Sequence, residues 1–132
     1  MITGIGIDIV QIERMERWLA NPKLLERYFH SEEIEYAFFR EKNAAQILSA
    51  RFAAKEAFGK ALGTGLAKIS LKDIAVSNCK NGKPEIKLFE TAQKAFEKSG
   101  AQKIHVSLSH EKENAIAVII LEGENGKKNR RR

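Results

Sequence analysis

Residues 115–121 read AIAVIIL, seven consecutive apolar side chains of which four are β-branched. The run is far too short to cross a bilayer. It lies between the turn EKEN and the pair Glu122-Gly123, so it reads as an interior strand buried on both faces. A 132-residue chain that is 43% hydrophobic can build a core around such a strand, and that length suits one domain rather than two.

A second strand opens the chain. In GIGIDIV, residues 4–10, alternation puts Ile5, Ile7 and Ile9 on one face and Gly4, Gly6 and Asp8 on the other. The second face carries one carboxylate beside two residues without side chains, so either something approaches the strand there or Asp8 is an ordinary strand-end charge. The segment IERMERWLA then spaces Ile12, Met15 and Leu19 as a helix that ends at Asn21-Pro22. KLLERYF predicts a second helix, and Ser31, followed by Glu32 and Glu33, is the expected N-cap of a third. A long helix is expected over about 43–62, stopping at Gly63-Thr64-Gly65. DIAVSNC and PEIKLF flank the hairpin signal Asn81-Gly82. ETAQKAFEKSG reads as a helix closed by Gly100, and KIHVSLSH as an alternating strand. This order predicts an α+β fold with a mostly antiparallel sheet packed with helices. One domain is expected over residues 1–123, with a basic, disordered tail over 124–132.

Charge excludes less than it first suggests. The net charge is +6, but five of the positive charges fall in the last six residues, KKNRRR, which leaves +1 for residues 1–126. That near-neutral body, with only 8% aromatic residues, argues against a dedicated nucleic-acid binder. The lone Cys79 excludes an intrachain disulfide and fits a reducing compartment. No signal-peptide pattern opens the chain, so a soluble cytoplasmic protein is expected.

The long helix carries the most chemistry. At about 100° per residue, Ile47, Ala50, Ala54, Ala57, Phe58 and Ala61 share one side, while Phe52, Glu56, Lys60 and Gly63 project from the other. Glu56 and Lys60 form an i,i+4 pair that an ordinary exposed helix also uses. Gly63-Thr64-Gly65 suits a helix C-cap or a loop whose amides reach phosphate oxygens. His105, Ser107 and Ser109 make a polar stripe that suits either an oxygen-rich ligand or plain solvent. Magnesium typically takes one or two carboxylates and completes its shell with water and substrate phosphates. Asp8 and Glu56 are enough for that, with Lys60 left to meet phosphate charge.

At these residues the chain resembles the holo-acyl carrier protein synthases, the small bacterial phosphopantetheinyl transferases. The likeness rests on GIGIDIV, RFAAKEAFGKALGTG, NGKP and HVSLSH, in that order and spacing, and covers residues 1 to about 121. The basic extension beyond Gly123 departs from the family pattern. The resemblance implies transfer of the phosphopantetheine arm of coenzyme A to a serine of apo-acyl carrier protein, releasing adenosine bisphosphate, in support of fatty acid biosynthesis. It implies magnesium on Asp8 and Glu56, with Lys60 beside the pyrophosphate. Coenzyme A binding is implied for Arg51, Gly63, Thr64, Gly65, His105 and Ser107. Carrier docking is implied for the first helix around Arg14, where Arg17 shares a face and Met15 and Trp18 offer apolar contact. The family forms homotrimers with sites between subunits, so Asp8 and Glu56 are expected to face a neighbour's Arg51 or His105. Three candidates remain for the serine proton: Glu56, Asp8 or a metal-bound water, with Glu56 preferred.

Overall fold

The structure is a computed structural model that describes residues 1–124. Three long strands form its main sheet: β1 (Ile2–Gln11), β4 (Ala101–His110) and β5 (Asn114–Gly123). The apolar run lies in β5, at the centre of an all-antiparallel sheet of order β1-β5-β4. One face of β5 is closed, with Ala115, Ala117, Ile119 and Leu121 at most 1% exposed. The expectation of burial on both faces fails, however, because Ile116, Val118 and Ile120 are only half-buried. Among the described residues no element covers that side. Register places Ile5, Ile7 and Ile9 beside them, and these three are 57–61% exposed.

The closed face is covered by α4 (Ala44–Leu62). Here the glycines of β1 find their reason. A Cβ on Gly4 would stand 1.9 Å from the Ala61 carbonyl oxygen, and one on Gly6 would stand 1.9 Å from that of Ala57. Backbone therefore meets backbone, and the strand lies closer to the helix than any side chain would allow. What approaches the glycine face of β1 is the protein's own helix.

Helices α1 (Ile12–Trp18), α2 (Pro22–Tyr28) and α3 (Ser31–Phe39) pack around α4. The cap of α3 is His30 rather than Ser31. Its Nδ1 accepts from the Glu32 amide, while the Glu33 carboxylate accepts from the His30 amide, a reciprocal capping box. A hairpin of β2 (Ile74–Asn78) and β3 (Pro84–Leu88) forms a second, two-stranded antiparallel sheet, and α5 (Glu90–Ser99) follows it, closing on Gly100 at φ +85°.

Helix α4 is buried nearly all round, which corrects the two-sided reading of it. Phe52, expected on the open side, is 6% exposed and sits edge-on to Trp18 and Tyr28. Three charged side chains are also buried: Lys55 and Glu33 completely, and Arg51 to 3%. Lys55 Nζ donates to Glu33 Oε1 at 2.7 Å and to the carbonyls of Leu71 and Ile74. Glu33 Oε2 accepts from the Val76 amide at 2.9 Å. Arg51 donates to the Val76 carbonyl and to Asn78 Oδ1, with its guanidinium over the Tyr36 ring. This network ties the β2–β3 hairpin to α3 and α4. The described elements run from β1 to the end of β5 at Gly123, and residues 125–132 of the expected tail lie outside the described residues.

Candidate active site

Asp8 follows the two close-packed glycines on the helix-facing side of β1, where α4 presents Lys60 and, one turn earlier, Glu56. Lys60 Nζ donates to Asp8 Oδ1 at 3.1 Å and to the Ile7 carbonyl at 2.9 Å. Glu56 is half-buried. Desolvation first, and the negative charge of Asp8 second, raise its carboxyl above the ordinary range, while Lys60 and Arg14 pull the other way. Two carboxylates are therefore close enough to repel one another beside one ammonium and one guanidinium.

That donor set fits magnesium. Hard oxygen ligands in a pair suit the ion, and it ordinarily leaves the rest of its shell to water and phosphate. Among the described residues no group of three or more His, Cys, Asp or Glu converges on one point. A cation at Asp8 and Glu56 would thus depend on oxygens brought by a substrate.

Arg14 belongs to this neighbourhood through its charge on Glu56, and its guanidinium lies over the Trp18 and Phe52 rings at 5.3 and 5.4 Å. Arg17 instead lies 3.6 Å from Glu13 on the exposed side of α1. Of the two apolar contacts expected of the first helix, Met15 is fully buried, whereas Trp18 stacks on Tyr28 at 5.3 Å and stays half-buried.

Gly63 ends α4 at φ +84°, and Gly65 follows at φ +69°. Their amides donate to the carbonyls of Lys60 and Gly59, both at 3.0 Å, so these two amides serve helix termination. Thr64 between them is exposed.

His105 and Ser107 lie on the other side of the sheet. Register sets them opposite Ile120 and Val118, in line with Ile5 and Ile7. His105 Nε2 is 2.9 Å from Glu122 Oε1, an interaction that lowers the Glu122 pKa. Within one chain the sheet separates His105 and Ser107 from Asp8. Arg51 is also distant from the carboxylate pair in its bonding, since its guanidinium is committed to the hairpin. The chain thus carries two groups of candidate residues: Asp8, Glu56, Lys60 and Arg14 together, with His105 and Ser107 beside the exposed isoleucines.

The buried Glu33–Lys55 pair was missed by motif reading. Lys55 falls four residues after Arg51 in an alanine-rich helix, and that repeat of cations in so apolar a setting was the available signal.

Residues 4–119 match the family described as the 4'-phosphopantetheinyl transferase superfamily. A protein of Treponema denticola named holo-[acyl-carrier-protein] synthase is 58% identical over 123 residues, covering 93% of this chain and all of its own. One of Treponema pallidum with the same name is 52% identical over 126 residues, covering 94% and 98%. Among solved structures, the holo-[acyl-carrier-protein] synthase of Neisseria meningitidis superposes with a TM-score of 0.82 at 34% identity, covering 92% of this chain and 99% of that one. The Bacillus anthracis enzyme, in complex with CoA (3',5'-ADP), gives 0.78 at 36% identity, covering 94% and 99%.

Proposed function

The chain belongs to the 4'-phosphopantetheinyl transferase superfamily, and from that premise we propose that it works as a magnesium-dependent, trimeric holo-acyl carrier protein synthase. It transfers the phosphopantetheine arm of coenzyme A to a serine of apo-acyl carrier protein, yielding holo-acyl carrier protein and adenosine bisphosphate in support of fatty acid biosynthesis. The observation that carries this reading is the convergence of Asp8, Glu56 and Lys60 at one place on β1 and α4, in a chain similar along nearly its whole length to proteins of that name.

The carrier serine oxygen attacks the phosphorus bearing pantetheine, and the bond from that phosphorus to the bridging pyrophosphate oxygen breaks. Negative charge then spreads over the nonbridging and departing oxygens, so positioned cations do most of the catalytic work. Lys60 is free to turn from the Ile7 carbonyl toward the departing phosphate, because its side chain is 56% exposed. Glu56 is the preferred acceptor of the serine proton, since a carboxylate with a raised pKa is a better base. Asp8 and Glu56 would hold magnesium, which when bound supplies charge compensation for the pyrophosphate.

Three further roles are proposed. Arg51, Gly63, Thr64, Gly65, His105 and Ser107 bind coenzyme A. Arg14, with Arg17 and Trp18, receives the acidic carrier protein. The subunits form a homotrimer with the site between them, and what supports this is an exposed apolar face: Ile5, Ile7 and Ile9 stand open on a sheet that also bears His105 and Ser107. A second copy packed on that face would bury the isoleucines, and a site shared between subunits would set the histidine of one chain beside the carboxylates of another. The cytoplasm, which holds coenzyme A and the carrier, is the proposed location. Among the described residues no helix is long and apolar enough to cross a membrane. Incubating the chain with coenzyme A, magnesium and apo-acyl carrier protein tests the activity: the carrier should gain the mass of one phosphopantetheine, and an unchanged carrier mass would refute it.

A further inference from the structure

Away from Asp8, a cavity of about 770 Å³ opens between the C-terminal end of α4 and helix α5. Its size falls within the range of small-molecule sites. Its apolar part is aliphatic, formed by Ala61, Leu62, Ile69, Ala95 and Leu121. Three lysines stand on its lining: Lys68 from the loop after α4, and Lys94 and Lys98 one turn apart on α5. All three are exposed, and among the described residues none is in an ion pair. Among the described residues no carboxylate lines the cavity.

Each feature narrows the ligand. Three cations without an acid exclude a cationic guest and favour an anion. Among the described residues the lining has neither an aromatic ring nor an arginine plane, so a nucleobase finds nothing to stack on there. The hydroxyl of Thr91 donates to Asp73, and those of Ser99, Thr3 and Thr64 to the carbonyls of Phe96, Leu121 and Gly65, which leaves the lysine ammoniums as the strongest groups to recognise a polar head. Lysine stems can also lie along an aliphatic chain while their charges stay at the mouth. We propose that this cavity binds an amphipathic anion with a single acyl chain: the chain against the aliphatic floor, the anionic head between Lys68, Lys94 and Lys98. Thr64, proposed above for coenzyme A, also stands on the lining, so the cavity adjoins that site, but the inference rests on the aliphatic floor and the three lysines and not on the transfer reaction.

Calorimetric titration of the full chain with sodium dodecanoate, below its micelle concentration, tests this. Dodecyl phosphate is run beside it to compare headgroups, and inorganic phosphate to remove the chain. One saturable site per chain for either amphiphile is expected, with inorganic phosphate at least about 100-fold weaker. Lys94→Gln/Lys98→Gln should weaken amphiphile binding at least about tenfold, and Ala95→Trp should weaken it by filling the floor. Lys87→Gln, on the exposed side of β3, should leave it unchanged. Circular dichroism melts confirm that each variant is folded. Absence of saturable binding by both amphiphiles overturns the proposal. So does equal binding of inorganic phosphate, or a loss in Lys87→Gln as large as that in the α5 double variant.

Discussion

Lys60 Nζ lies 3.1 Å from Asp8 Oδ1, so the ammonium of α4 and the carboxylate of β1 meet across the joint made by Gly4 and Gly6. The pair is too exposed to matter much for folding, and such contacts are usually worth about 0–1 kcal/mol. Its value is positional. Lys60→Ala should leave the melting temperature nearly unchanged and lower kcat by about 10²–10³, the usual loss of a donor to developing charge. A steady-state carrier assay with a melting curve separates the two effects, and unchanged turnover would remove Lys60 from the chemistry.

The Glu33–Lys55 pair should behave in the opposite way. Burial lowers the Lys55 pKa, and Glu33 opposes that shift. Lys55→Met leaves the Glu33 carboxylate buried without its cation, which should cost about 3–5 kcal/mol in urea unfolding. Glu33→Leu combined with Lys55→Met should cost less than the sum of the two single changes, because neither charge is then stranded. Additive losses would show that the two residues are not coupled.

Much of this architecture is legible in the sequence, and the failures share a cause. The glycine-terminated α4, the NG hairpin and the alternating β4 follow from local turn chemistry and periodicity. The pairing of Asp8 with Glu56 and Lys60 followed from motif order in a resembling family, since nothing local joins residue 8 to residue 56. Gly4 and Gly6 signalled close approach, but not that α4 was the partner. Burial of β5 was overestimated because periodicity reports that a face is apolar, and only the assembly decides what covers it. The inward turn of Phe52 and Met15 and the Glu33–Lys55 pair depend on tertiary contacts between distant segments, to which spacing along one helix is blind.

Glu56 sets a pH dependence. Its folded pKa is raised above the ordinary 4.5, chiefly by desolvation and then by Asp8. The folded chain thus holds this proton more tightly than the unfolded chain, and the resulting stability is complete below pH 4.5 and lost as pH rises through the raised value. In metal-free protein, the urea midpoint of the wild type relative to Glu56→Gln should therefore fall as pH rises across that window. Magnesium affinity should change in the other direction, weakening as acid restores the proton. A pH-independent difference between the two proteins would contradict the raised pKa.

Arg14 is the basic side chain of α1 nearest in charge to the Glu56 site. Reversing it, Arg14→Glu, should raise the carrier KM about tenfold or more at low salt by opposing the approach of an acidic partner. The salt dependence of the carrier KM should shrink, while coenzyme A affinity stays unchanged. Carrier kinetics equal to wild type would move docking away from α1, and lost coenzyme A binding would assign Arg14 to the nucleotide.

The most direct test is the mass of apo-acyl carrier protein after a fixed incubation with coenzyme A, magnesium and the wild type, Asp8→Asn or Glu56→Gln. The wild type should add one phosphopantetheine per carrier, lose that activity under chelation and recover it when magnesium or manganese is restored. Both variants should remain folded by circular dichroism and leave nearly all of the carrier unmodified. Carrier fully modified by either variant at low magnesium would contradict the assignment of Asp8 and Glu56 as the centre of the site.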